Sequence, residues 1–377
     1  MAVLTEEQTM LRDAAKAWSQ ESAPVSALRR LRNEGSKQSF DPAAWSEMGQ
    51  MGWAGVVVPE AYEGSGFGYL GLGLILEETG KTLAASPLLS TALIAASALE
   101  LGGSDAQKAA WLPRIATGEA VATLAIDEGA HHNPTRIALT ATTSGDGYAL
   151  NGVKTFVLDG EAADLLIVAA RTGGTSGDTD GVTLFLVPGD AAGVVRTHLS
   201  LADSRGAAQV AFDGVEVDVE AVLGEVGKGW AILEPVLDRA YAGLAAEMLG
   251  TASAAFEITL DYLKTRTQFG QVIGTFQALQ HRAAKWFTDL ETTRSCVEAA
   301  LEALDGGADA RALSSLAKAK ASEVLHLASN EMVQMHGGIG MTDEHDSGLY
   351  MKRARVAEAL FGGASFHRDR YARLMGF

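Results

Sequence analysis

Cysteine is almost absent: the 377 residues hold only Cys296. A disulfide framework is thereby excluded, and a lone thiol fits a reducing compartment, with the cytoplasm expected. Long apolar runs are missing too. No stretch approaches the ~18 apolar residues of a membrane span. The start, Met1-Ala-Val-Leu-Thr-Glu-Glu-Gln8, lacks the apolar core of a secretory leader, so neither secretion nor membrane insertion is expected. Positive charge is scarce, since 30 Lys and Arg stand against 47 Asp and Glu, a net charge of −17. That balance argues against nucleic acid or an anionic membrane as partner, and an anion site would have to gather its few cations locally. An apolar content of 47% excludes disorder, and the length exceeds what one core organises, so two or three subdomains are expected.

What is present changes texture along the chain. Residues 5–34 carry Leu11, Ala14, Ala15 and Trp18 at helical spacing behind a Thr5 N-cap with Glu6 and Glu7 in the first turn. Asp41-Pro42 opens a second helix to Met51. Glycines and Pro59 then mark a loop through Gly66, and residues 69–100 and 104–118 read as helical. From about Val121 the period falls toward two. Strand-like runs occur at 137–143, 148–152, 155–158, 165–170, 182–187, 194–198 and 209–212 between Gly/Asp turns, the pattern of an antiparallel barrel or sandwich. Asn151-Gly152 has the composition of a type I′ hairpin turn. Helical periodicity returns from Val226 and holds to Leu374. The expected domains are therefore 1–119 helical, 120–224 β, and 225–377 a helical bundle.

The stretch from Tyr262 to Arg282 organises the functional reading. It predicts a helix ending near Arg266, a turn through Gly270 and Gly274, and a new helix from about Thr275. Arg266, Gln268 and the amides of a helix start suit an anion, because guanidinium forks onto phosphate oxygens and a helix N-terminus is partly positive. Phe269 offers an aromatic face. These residues also suit an ordinary surface turn.

Arg266-Thr-Gln-Phe-Gly270, with Phe276-Gln277-Ala-Leu-Gln280-His281-Arg282, resembles the signature of flavin-dependent acyl-CoA dehydrogenases. Gln334-Met-His-Gly337-Gly338-Ile-Gly340, 68 residues further on (266 to 334), resembles that family's second FAD contact. The resemblance implies an α+β fold: an N-terminal helical domain, a central antiparallel β-barrel and a C-terminal four-helix bundle. It also implies that Arg266, Gln268, Phe269, Gln277, Gln334, Gly337 and Gly338 hold the nucleotide side of an FAD seated mainly in a neighbouring subunit.

The chemistry of that family needs a carboxylate to take the proton α to a thioester carbonyl, in apolar surroundings that raise its pKa. By resemblance it stands at one of two positions, and here these hold Phe361 and Ala240. Glu247, seven residues after Ala240 on nearly the same helix face, is the candidate for a displaced base. Seven residues is roughly 10 Å of helix, and the alternative is a structural acid paired with a cation such as Arg282 or Lys285 across the subunit. Glu358 points to another face. The family's ring-side segment is also altered, to Ile126-Asp127-Glu128-Gly129-Ala-His131-His132-Asn133, and its Trp-Ile-Thr becomes Phe156-Val157-Leu158. The adjacent His131 and His132 read as a loop-surface pair, with no metal expected. His367 reads as structural.

Contacts toward a neighbour's FAD are thus kept while this chain's own ring site and base are lost. The pattern resembles the smaller subunit of paired dehydrogenases acting on steroid side-chain or dicarboxylic CoA esters. The resemblance implies a larger catalytic partner in a heterotetramer, an acyl-CoA substrate and an electron-transferring flavoprotein as acceptor. Two other readings stand beside it: a self-sufficient enzyme with a displaced Glu, and a non-redox protein of the same fold that binds acyl-CoA or a partner.

Overall fold

The computed structural model describes residues 4–35 and 40–377; the first three residues of the N-terminal stretch read above lie outside it. In chain order, α1 (Glu6–Glu21), α2 (Val25–Glu34), α3 (Pro42–Gln50), α4 (Tyr69–Lys81), α5 (Ala96–Gly102) and α6 (Asp105–Ala116) come first. Strands follow: β1 (Ala122–Ala125), β2 (Thr140–Ser144), β3 (Gly147–Leu158), β4 (Leu165–Arg171), β5 (Val182–Pro188), β6 (Val194–His198), β7 (Ala207–Asp218) and β8 (Val222–Leu223). The remainder is α7 (Trp230–Thr265), the short strands β9 (Thr267–Gln268) and β10 (Gln271–Val272), α8 (Gln277–Asp305), α9 (Arg311–His336), α10 (Ser347–Ala359) and α11 (Ala364–Leu374). The expected order of helices, sheet, helices is the observed one. No helix among the described residues is long and apolar enough to cross a membrane.

Local chemistry sets the helix starts. Thr5 and Gln8 form a capping box, as do Ser104 and Gln107, each satisfying amides that the first turn leaves without partners. Asp41 accepts from the Ala43 amide at 2.9 Å with Pro42 at the first helical position. The helical stretch expected over 5–34 is two helices, α1 and α2, parted just before Val25. Pro24 accounts for the break, since proline lacks an N–H and disfavours helix in the residue before it.

The chain groups into two compact units. One comprises Arg30–Gly68 and Ala85–Ala240 and contains the eight-stranded sheet, ordered β6-β7-β3-β2-β4-β5-β8 with β1 on β4. An antiparallel barrel was the expectation; the sheet is mixed, β1 and β2 running parallel to β4, and its path of paired strands is open at β6 and β8. All seven residues of β4 are buried, as a strand with parallel neighbours and both faces covered requires. Asn151-Gly152 is not a turn. It lies inside β3 at a register shift, with Gly152 at φ 146° and a Cβ there 2.8 Å from Leu139. The hairpin turns instead at Gly145-Asp146, where Ser144 pairs with Gly147. Arg171 ties down the loops of this unit by donating to the carbonyls of Ile137, Gly173, Asp178 and Asp180 at 2.8–3.2 Å.

The other unit takes in the chain through Arg29, Tyr69–Ala84 and Tyr241–Phe377. Here α8, α10 and α11 all pack on α9, so α11 adds a helix to the expected bundle. The Asp305 carboxylate accepts from the Tyr69 and Leu70 amides and caps the start of α4. Further along, α4 and α7 touch backbone to backbone. A Cβ on Gly250 would lie 1.8 Å from the Glu77 carbonyl oxygen, and one on Gly80 2.3 Å from that of Glu247. Gly250→Ala is therefore expected to lower stability by about 2–3 kcal/mol, as overpacking does. An unchanged thermal midpoint would show that the two helices separate freely.

Candidate functional site

The first motif forms where α7 ends. β9 and β10 pair as a minimal hairpin, Gln271 opposite Gln268 and Val272 opposite Thr267. Its two turn residues, Phe269 (φ 54°) and Gly270 (φ 79°), both have positive φ, the geometry of a type I′ turn. Gly270 adopts it freely, whereas a left-handed Phe costs about 1–2 kcal/mol. At this turn Phe269 stands out in solvent, 90% exposed, 6.2 Å edge-on from Phe276. Arg266 and Gln268 are exposed beside it, and the Arg266 guanidinium has no ion-pair partner among the described residues. A turn at Ile273–Thr275 leads into α8, which starts at Gln277 with no side-chain cap, leaving first-turn amides free for an acceptor.

The second motif forms where α9 ends. Gly337 closes the helix at φ 63°, ψ −136°, a conformation open to glycine almost alone. Gln334, Gly337 and Gly338 are exposed, and a Cβ on either glycine would meet nothing within 4 Å. The fold brings the two motifs together. Tyr262, one turn before Arg266, places its ring 4.4 Å from that of His336, and its hydroxyl reaches the His336 carbonyl at 3.4 Å.

Neither candidate position for a base carries one. Phe361 is buried at φ 54°, its carbonyl accepting from His367 Nε2 at 2.9 Å, the structural role expected of His367. Carbonyls on either side of Phe361 are held by Lys318: the fully buried Nζ donates to those of Ala357, Glu358 and Gly362 at 2.9–3.3 Å. Ala240 is fully buried in α7. Glu247 is buried too and pairs with Arg353 of α10 at 3.3 Å. The cation is therefore neither of those anticipated; Arg282 is engaged with Glu331 at 2.6 Å. Glu358 meets His326 and Arg355.

In the sheet-containing unit, Glu128 is consumed internally. It meets buried Lys154 at 2.6 Å and accepts from the Ala138 and Leu139 amides. Burial pushes the Lys154 ammonium below its usual pKa, and Glu128 pulls it back. His132 lies in a loop, as expected, but its side chain is not at the surface: it is 1% exposed and Nδ1 lies 2.8 Å from Asp127. Phe156 is partly exposed at φ 51°, with Val157 and Leu158 buried behind it.

Three residues of consequence were not singled out by sequence: Lys318, Arg353 and His336. Lys318 had a signal, a lone cation within the apolar run Leu316-Ala317-Lys318-Ala319. His336 lies inside the second motif itself. Arg353 had none, being one of two arginines on α10.

Comparison with known proteins gives the same answer over nearly the whole chain. The acyl-CoA dehydrogenase N-terminal, middle and C-terminal domain models match residues 5–119, 123–215 and 227–376. The chain belongs to the acyl-CoA dehydrogenase family. The short/branched chain specific acyl-CoA dehydrogenase of Bos taurus is 29% identical, over 99% of this chain and 86% of that one. Two solved structures also match. A Tcur3481-Tcur3483 steroid ACAD variant is 33% identical, covering 98% of each chain at a TM-score of 0.88. The ChsE4-ChsE5 complex from Mycobacterium tuberculosis is 27% identical, covering 100% of each at 0.89. Acyl-CoA dehydrogenases are FAD-dependent, and an unpaired exposed arginine, a strained exposed phenylalanine, open glycines and an uncapped helix start fit a dinucleotide.

Proposed function

We propose that this chain is the cofactor-sharing subunit of a heteromeric acyl-CoA dehydrogenase, supplying nucleotide-side contacts to FAD bound mainly by a larger catalytic partner. The observation that carries this reading is the pairing of two intact motifs with the loss of the base. Phe361 and Ala240 fill both candidate positions, and Glu247 is already committed to Arg353. Two relatives named as pairs, a steroid ACAD and the ChsE4-ChsE5 complex, support a two-chain assembly and a bulky acyl group such as a steroid side chain. An electron-transferring flavoprotein is the proposed acceptor.

When bound, FAD supplies the acceptor for the hydride leaving the acyl β-carbon. This chain's contribution is to hold. Arg266 would hold the pyrophosphate charge, Phe269 would offer an aromatic face to the nucleotide, and Gln268, Gln277 and Gln334 would donate amide hydrogens. Gly337 and Gly338 leave their backbone open to close approach. The α-proton goes to a carboxylate of the partner.

Arg266→Ala in the two-chain complex is expected to weaken FAD binding about 10–100-fold, the loss of a charge-assisted fork. Arg266→Lys keeps the charge but not the plane and is expected to recover part of it. Flavin occupancy unchanged on dilution of the Arg266→Ala complex would remove this assignment.

A further inference from the structure

The ring of His336 is a buried feature beside the nucleotide-side turn that the proposed contacts leave unused. It is 3% exposed. Nδ1 lies 2.7 Å from the Met332 carbonyl, an acceptor only, so Nδ1 carries the hydrogen and Nε2 is a bare lone pair. Nε2 is enclosed and meets no hydrogen-bond partner among the described residues. Two rings flank the imidazole, Tyr262 from α7 at 4.4 Å and His345 from the segment before α10 at 4.2 Å between centroids. His345 is held in turn, its Nδ1 accepting from the Ser347 amide at 3.1 Å and lying 2.6 Å from Ser347 Oγ.

No counter-charge is at hand for an imidazolium in this position. From α7 the group facing it is Tyr262, and from the segment before α10 it is His345, another base. Asp346, beside His345, is tied to Arg29 of α2 at 2.6 Å. On α9 itself Glu331 is tied to Arg282 of α8 at 2.6 Å. A proton on Nε2 would thus be buried without an acceptor, on a ring whose centroid is 4.2 Å from that of a second histidine. Burial pushes the His336 pKa down, His345 adds to that, and the Met332 bond opposes it. Burial lowers His345 as well.

We propose that His336 is a positioning residue which holds the Gly337–Met341 turn only while its ring is neutral, so that acid opens the nucleotide-side turn locally. The next residue, Gly337, is where α9 stops, and its amide bonds back to the Gln334 carbonyl. Expelling the ring would carry the exposed Gly337 and Gly338 with it. The direction follows from linkage: the open state titrates near 6.5 and the closed state lower, so closure is complete above about 6.5 and weakens as pH falls below it, up to about tenfold per pH unit. The consequence for FAD rests on the cofactor assignment above; the opening does not.

Hydrogen exchange on the full chain, corrected for the intrinsic pH dependence of exchange, tests this. Between pH 7.5 and 5.5 the segment Gly337–Thr342 is expected to lose about tenfold in protection while β4 loses none. His336→Phe keeps a flat ring between Tyr262 and His345 but cannot titrate, and its profile is expected to be flat. A flat wild-type profile overturns the proposal by itself, whether or not the variant folds, and so does an equal loss in His336→Phe. In the two-chain complex, FAD affinity should fall in acid for wild type and not for His336→Phe. If exchange behaves as expected and FAD affinity does not, the cofactor assignment fails while the switch stands.

Discussion

Expressed alone, the chain is expected to desaturate no acyl-CoA and to purify with less than one FAD per chain. Co-expressed with a larger relative that keeps a Glu at one of the two base positions, it should yield a yellow complex with one FAD per pair of unlike chains. Removing that partner Glu should lower kcat by about 10²–10⁴, the usual worth of a general base. Glu247→Gln in this chain is expected to leave kcat of the complex within about twofold, because the carboxylate is spoken for by Arg353 at 3.3 Å. Its effect should appear in stability instead. Breaking a buried pair from one side costs about 3–5 kcal/mol, and a glutamine that still accepts a hydrogen bond should recover part of that. The outcome that replaces this reading is specific: an isolated chain with one FAD per subunit, turning over, and losing activity in Glu247→Gln. The displaced-base enzyme is then the better description. A chain that binds acyl-CoA but no flavin in any combination would point to the non-redox reading.

Lys318→Met is expected to cost about 3 kcal/mol and to change how stability responds to alkali. The ammonium is fully buried at the C-terminal end of α10, where carbonyls lack helical partners. It donates to the Ala357, Glu358 and Gly362 carbonyls and to Ser322 Oγ at 2.9–3.3 Å. Methionine fills the volume but leaves three buried acceptors without a donor, at about 1–3 kcal/mol each before the relief of desolvation is subtracted. Burial pushes the Lys318 pKa down to about 7, with Glu358 opposing. The unfolded chain holds that proton up to about 10.4. Between these limits the unfolded state binds more protons, so stability from this group is lowest below pH 7 and rises as pH climbs toward 10. The rise should vanish in Lys318→Met, as read by denaturant unfolding at pH 7 and 9. A neutral or stabilising substitution would show that the ammonium is merely tolerated, as many buried charges are. Because the same clamp fixes the turn that holds Phe361, its loss should also raise hydrogen exchange over 357–363.

The sequence by itself determined those features whose causes are local. Thr5 and Asp41-Pro42 start helices within a few residues, so their caps were legible. The change from period 3.6 to period 2 near Val121 placed the sheet. Phe269-Gly270 and Gly337 are turn chemistry written into adjacent residues, and the family resemblance rested on them. Tertiary structure decided whatever depends on partners far along the chain. Glu247 meets Arg353, 106 positions later, and nothing in an acid's own neighbourhood names its distant cation. Asn151-Gly152 has hairpin composition, yet pairing with β7 and the close approach of Leu139 make it a bulge inside β3. His132 lies in a loop as its neighbours suggest, but its side chain is buried against Asp127 and not at the surface. Sheet closure likewise depends on which strands find each other across the unit, since period two records a strand's buried face and not its neighbour. Spacing along the chain encodes conformation; burial and charge pairing are properties of the folded whole, and they settled that the one candidate carboxylate, Glu247, is held in an ion pair.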